Sequence, residues 1–192
     1  MSKGTETRKR IVHQAAIMFN TRGYEGGCLL DLMAATNLEK GGLYRHFASK
    51  EEIAAEAFRH AWQEVTNARS RNLSGIASPR QKLVRMIANF VEIRSPIPGG
   101  CPLMNTAADA DDGNLTLREL AREALDAWKR RLMDVIEAGI RAGEFAHSLD
   151  KERLANVIIA TLEGALMITR IEHSRQALHD AQAYLESHIA GL

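Results

Sequence analysis

Apolar residues recur along this chain at helical spacing from end to end, and β-branched alternation never persists, so the pattern predicts helices throughout and no strands. A first helix begins near Thr5, turns Ile11, Ala15, Met18 and Phe19 inward, and meets its C-terminal stop at Gly23. Leu29, Leu32 and Met33 share one face of a short second helix. Asn37 stands at the break that follows, a residue type that tolerates the left-handed conformation of a sharp turn. Leu38 seats the turn, and Leu43 and Phe47 give a third short helix, closing near Phe47, its apolar stripe. This is the layout of a helix-turn-helix over about residues 28–47.

Three Ser/Thr-x-x-Glu/Gln patterns, at Ser49–Glu52, Ser78–Gln81 and Thr116–Glu119, read as capping boxes that start further helices. The first carries Ile53, Ala57, Phe58 and Trp62 and runs to about Arg71. The second buries Leu83, Ile87, Phe90 and Val91, and the third Leu120, Ala124, Trp128, Leu132, Val135 and Ile136, stopping near Gly143. Pro96, Pro98 and Pro102 cluster with Gly99 and Gly100, which breaks helix and leaves a short one over about 102–110. Asp150 caps a helix over about 151–173, and the last runs over about 175–189. The chain is expected to be all-α, with about nine helices.

The stretch LANVIIATLEGALMITRI, within 151–173, is apolar on nearly all sides, so one face meets the body and another must be covered elsewhere. Together with Leu178, Ala181, Tyr184, Leu185 and Ile189 it supplies two helices of apolar surface. Pairing with the same two helices of a second copy makes a four-helix bundle, which predicts a homodimer; a large monomer core is the alternative. One short recognition helix reads only a few base pairs, so a two-fold dimer suits a palindromic site on double-stranded DNA.

Composition sharpens this picture. No apolar run approaches the roughly 18–20 residues of a membrane span, and MSKGTETRKR lacks an apolar signal segment, so a cytoplasmic protein with no membrane role is expected. Two cysteines, Cys28 and Cys101, make no disulfide framework. Net charge is only +1, but residues 1–50 hold eight Lys/Arg against four acids, while the remaining 142 hold 17 against 20. A basic head on a mildly acidic body is the electrostatic footprint of a DNA-binding domain joined to something else.

The third helix leaves Lys40, Gly41, Gly42, Tyr44, Arg45 and His46 outside, a glycine backbone flanked by donors that suits a phosphate chain. Arg45 fits a phosphate contact or a solvated face; His46 fits a phosphate contact or packing under Phe47. Lys3, Arg8, Lys9 and Arg10 add phosphate attraction or form a solvated helix end. Cys101, directly before Pro102, fits an N-cap where a helix dipole favours a thiolate, or a small buried pocket residue. Cys28 sits at another predicted helix start. Asp109, Asp111 and Asp112 have no convergent histidine, and the seven histidines show no HExxH pair or other zinc spacing. Phosphate-binding loops, dinucleotide fingerprints and nucleophile elbows are missing from the sequence, so no cofactor, metal or enzymatic activity is expected.

The run LEKGGLYRHFASKEE resembles the signature of the tetracycline-repressor (TetR/AcrR) family of bacterial transcription regulators: a lysine-glycine recognition helix, a Leu-Tyr-x-x-Phe segment, then Ser-Lys-Glu. The stretch from Arg8 through Gly23-Tyr24 is similar to that family's first helix and its Gly-Tyr/Phe exit. GGCPLMNTAADADD at 99–112 is similar to a Gly-Cys-Pro/Leu segment in the effector domains of some members. The strong match covers about residues 5–60. Gly27-Cys28 replaces the usual Thr-Ser pair, and Asn37 replaces the usual turn glycine.

The resemblance implies a DNA-binding domain over 5–65 and a ligand-binding and dimerisation domain over 66–192. It assigns DNA contact to Lys40, Gly41, Gly42, Tyr44, Arg45, His46 and Lys50, the last with Tyr44 on phosphate. It implies a repressor released from its operator by a small-molecule effector. The effector would lie in the helical body, bounded by the helices carrying Trp62, Phe90, Met104 and Trp128, with Cys101 lining the site. Two alternatives stand beside it: an electrophile or redox regulator acting through Cys101, and, more remotely, a helical enzyme or interaction protein without DNA binding.

Overall fold

A computed structural model describes residues 3–110 and 113–192; Asp111 and Asp112, weighed above as metal ligands, lie outside the described residues. Nine helices and no strand form among the described residues: α1 (Lys3–Gly26), α2 (Leu29–Thr36), α3 (Lys40–Tyr44), α4 (Lys50–Arg69), α5 (Pro79–Glu92), α6 (Pro102–Asp109), α7 (Leu115–Arg141), α8 (Lys151–Glu172) and α9 (Gln176–Ala190). Within α1, Gly23 has φ 76° and ψ 171°, so the helical path breaks where the sequence places a stop and one further turn follows.

Local side-chain chemistry sets four of the helix starts, at α4, α5, α7 and α8. The Glu52 N–H donates to Ser49 Oγ (3.0 Å), and Glu52 returns a carboxylate to the N–H of Ala48 (2.6 Å). At α5 the Gln81 N–H donates to Ser78 Oγ (3.2 Å), but the reciprocal group is Glu144, which accepts from Ser78 Oγ (2.8 Å) and the Arg80 N–H (2.7 Å). Asp150 caps α8 through the Arg153 N–H (3.0 Å). The third expected box does not form. α7 begins before Thr116, at Leu115, and Asn114 Oδ1 accepts from the Leu117 N–H (2.9 Å), because an asparagine two residues earlier, directly before the helix, offers the same kind of acceptor.

The chain packs as two compact units. One comprises Met1–Thr66 with Ser95–Ala124; the other comprises Asn67–Arg94 with Leu125–Leu192. This division differs from a single cut near residue 65, because the segment carrying α6 packs on α1. The core of the first unit joins Ile11, Ala15, Met18, Leu32, Leu43, Phe47, Ile53 and Ile97. The core of the second joins Leu83, Ile87, Phe90, Leu132, Ile136, Ile158, Leu162, Leu185 and Ile189.

In the second unit α8 is 22 residues long, and by length and composition alone it passes for a membrane span, contrary to the reading of the apolar runs. A core helix passes the same test, and Leu154, Ala155, Ile158, Ile159, Leu162 and Ala165 are buried. Its other side keeps Val157, Met167, Ile168 and Ile171 exposed, with Tyr184 of α9.

Candidate nucleic-acid interface

The helix-turn-helix is assembled from short pieces pinned by a few apolar anchors. Cys28 begins α2 in an extended conformation with no side-chain cap, and Leu32 is buried. Asn37 closes α2 at φ 51° and ψ 48°, the left-handed conformation the sequence anticipates; its N–H donates to Ala34 O and the Leu38 N–H to Met33 O. Before α2, Gly27 is buried. A Cβ there would sit 2.7 Å from two Phe19 ring atoms, so the threonine usual at this place has no room.

α3 is shorter than its sequence pattern suggests: it ends at Tyr44, and Arg45 and His46 form a turn. Leu43 is fully buried and Phe47 nearly so, which fixes the strip from below. Five residues rising about 1.5 Å each span roughly 7 Å, so Lys40 to Tyr44 form one compact patch. Lys40, Gly41, Tyr44 and Arg45 are exposed, whereas Gly42, His46 and Lys50 are half-buried.

The two glycines of α3 are not demanded by internal packing. A Cβ on Gly41 would meet nothing within 4 Å, and one on Gly42 would reach Leu38 at an ordinary 3.5 Å. Glycine in a helix costs roughly 0.5–1 kcal/mol relative to alanine. The chain therefore keeps a bare, slightly destabilising backbone where its surface is open.

Charges around the patch divide into outward and inward sets. Arg8, weighed above as a phosphate attractor, turns inward: its guanidinium lies 4.1 Å from the Phe47 ring centroid, donates to the His46 carbonyl, and pairs with Glu52 (3.4 Å) and Glu56. It braces the end of the recognition segment against α4. The Glu52 carboxyl is held below the usual range, first by the Ala48 N–H and then by Arg8. Lys50 opens α4 with its ammonium 4.4 Å from the Tyr24 ring centroid, an orientation the sequence does not reveal.

Behind the head, α1 and α6 are bolted together by amides. Asn20 donates to Pro98 O (2.7 Å), and Asn105 donates to Asn20 O (3.0 Å), Asn20 Oδ1 (3.0 Å) and Gly99 O (2.9 Å). Gly99 has φ 105°, and a Cβ on it would lie 2.3 Å from Asn20 O. Asp109, which the sequence leaves without a convergent histidine, accepts from the Tyr24 N–H beside Gly23. Sequence reading missed this bracket because asparagines 85 residues apart carry no local signal.

The five residues expected around an effector divide between the units. Trp62 and Met104 are half-buried and Cys101 fully buried in the first; in the second Phe90 stacks on Trp128 with centroids 5.6 Å apart, and Arg69 covers Phe90 at 3.9 Å. Cys101 is the N-cap of α6, as its place before Pro102 suggests, but its thiol makes no capping hydrogen bond. Full burial also removes it from solvent, which does not favour an activated sensor thiolate.

Comparison with known proteins places this geometry. The family profile described as "Bacterial regulatory proteins, tetR family" matches residues 11–57, and "Tetracyclin repressor-like, C-terminal domain" matches residues 78–185. A TetR transcriptional regulator from Chloroflexus aurantiacus J-10-FL is 42% identical with a TM-score of 0.94, over 98% of this chain and 96% of that one. A TetR-family regulator from Cytophaga hutchinsonii is 35% identical with a TM-score of 0.92, over 100% and 97%. The HTH-type transcriptional repressor DhaR of Mycobacterium sp. (strain GP1) is 27% identical over 91% of this chain and 87% of its own length. With a helix-turn-helix on a basic head and a helical body matched over 78–185, the chain belongs to the TetR family of DNA-binding transcriptional regulators.

Proposed function

We propose that this regulator is a cytoplasmic, non-enzymatic homodimeric repressor that leaves its operator when a small molecule binds its helical body. The functional division is 5–65 for DNA and 66–192 for effector and dimer. The direction of control follows its likeness to DhaR, which is a repressor. Lys40, Gly41, Gly42, Tyr44, Arg45, His46 and Lys50 form the DNA surface, and the observation that carries this is the exposed α3 backbone at Gly41, bare without any internal reason. The second copy docks on α8 and α9, where Met167, Ile171 and Tyr184 stand exposed on helices whose other face is core.

Effector binding shifts the protein only through unequal affinity for the DNA-competent and released states. Two routes reach the head: α4, which begins in it at Lys50, and the Asn20–Asn105 bracket between α1 and α6. Trp62, Phe90, Cys101, Met104 and Trp128 are the effector-facing candidates, largely apolar, which suits a modestly apolar ligand.

The test is fluorescence anisotropy on duplex DNA from upstream of the protein's own coding sequence, over a range of salt. Affinity falls with salt, and Lys50→Gln weakens binding to all sequences and lowers the salt slope by about 0.9 for each head. Salt-independent binding, or an altered sequence preference with the slope unchanged, refutes the assignment.

A further inference from the structure

We propose that the groove between α1 and α4 in the head binds a small phosphate-bearing anion between the Lys9 ammonium and the Arg59 guanidinium. α1 contributes Thr5, Lys9 and His13, which follow one edge at i, i+4 spacing, and α4 contributes Glu56, Arg59 and His60. The groove offers about 790 Å³, within the range of a small-molecule site and more than one phosphate group fills. An organic phosphate therefore suits it better than the bare ion.

The charges along its walls do not cancel: Arg8, Lys9 and Arg59 stand against a single acid, Glu56. Arg8 is engaged by Glu52, Glu56 and the His46 carbonyl, so that acid is already answered and Lys9 and Arg59 carry the excess. Glu64, whose charge reaches the His60 ring, lies a turn further along α4 and outside the lining, so the ligand's charge belongs at the Lys9 and Arg59 end. An ammonium on one wall and a planar guanidinium on the other supply a point charge and a two-pronged donor, the combination that recognises an oxyanion.

The histidine pair adds an uncharged donor. His13 Nδ1 lies 3.2 Å from His60 Nε2, with ring centroids 5.5 Å apart and planes at 69°. In their neutral forms two imidazoles hold two N–H groups. One spans the pair and the other remains for a ligand, whichever tautomer holds. Sequence spacing hides the site, because its two imidazoles lie 47 residues apart.

Arg59 stands nine residues beyond Lys50, roughly 14 Å along the helix, which separates the groove from the Lys50 contact with DNA. Only that separation rests on the reading above; anion binding itself does not. The experiment titrates inorganic pyrophosphate into the full-length protein without DNA, at an ionic strength held constant with sodium chloride, and follows binding by calorimetry. Wild type is expected to bind one pyrophosphate per chain. Lys9→Gln and Arg59→Gln are each expected to weaken binding about tenfold or more, and His13→Ala less. Arg10→Gln, beside Lys9 in sequence but off the groove, leaves binding unaltered. All four side chains are exposed, so the variants keep their fold, which circular dichroism checks. Absence of pyrophosphate binding to wild type overturns the proposal. So does an equal loss in Arg10→Gln, which marks general attraction to a basic head. A second arm measures operator binding, where Arg59→Gln is expected to keep the wild-type salt slope. A slope lowered by Arg59→Gln as much as by Lys50→Gln assigns the groove to the duplex backbone and overturns the free-anion site. Pyrophosphate bound as expected, with no DNA binding in any variant or wild type, leaves the site standing and counts against the DNA reading alone.

Discussion

Gly41→Ala separates what the fold needs from what DNA needs. The new methyl meets nothing within 4 Å, and the residue is exposed in the first turn of α3. Alanine therefore gains its propensity advantage without a steric charge, roughly 0.5–1 kcal/mol per protomer. For a chain of this size that raises Tm by about 1–4 °C. If the bare backbone is where phosphate or groove edge comes closest, the same methyl holds each head away from DNA. Losing one charge-assisted hydrogen bond per head costs about 1.5–3 kcal/mol, and a dimer loses two. The expected affinity loss is thus about 10²–10⁴-fold, in a protein that melts no lower than wild type. Anisotropy on the upstream duplex at fixed salt, beside a thermal melt, reads both quantities. Wild-type affinity in Gly41→Ala refutes the close-approach argument, and a lowered Tm refutes the packing argument beneath it.

Other positions give sharp expectations. Ile171 is 71% exposed on α8, so Ile171→Asp leaves the protomer folded but splits the dimer, seen by sedimentation as a halved mass with operator affinity lost; an intact dimer moves the interface elsewhere. Gly99→Ala forces a Cβ to 2.3 Å from Asn20 O at a positive φ, so it destabilises by about 2–4 kcal/mol and loosens the α1–α6 bracket; a wild-type melting curve contradicts the geometry. Burial lowers the His60 pKa from 6.5, the first cause, and the unfolded chain therefore takes up a proton that the folded chain resists. This contribution to stability is present above about pH 6.5 and is lost as pH falls through the lowered value. Melts from pH 7 to 5 should fall more steeply for wild type than for His60→Gln, and parallel curves count against the cause.

Much of the head was legible because its determinants are local. Asn37 is left-handed for the reason its side chain permits, Leu43 and Phe47 are the anchors their spacing implies, and Ser49 caps α4 three residues before Glu52. Thr116 shows the limit of such patterns: Asn114, two residues upstream, offered an equivalent acceptor and won the cap. Arg8 shows another, since a basic helix end reads the same whether it faces phosphate or, as here, Phe47 and two glutamates.

Periodicity, capping chemistry and charge distribution are properties of neighbouring residues, and from them the sequence alone determined an all-helical chain with a basic helix-turn-helix at its start and surplus apolar surface at its end. Which distant groups meet was decided only by tertiary structure. The Asn20–Asn105 bracket, the Phe19 ring that requires glycine at 27, and the facing His13 and His60 imidazoles each join segments that share no local pattern. Their physical cause is the packing of α1 against other helices, which a one-dimensional period cannot encode.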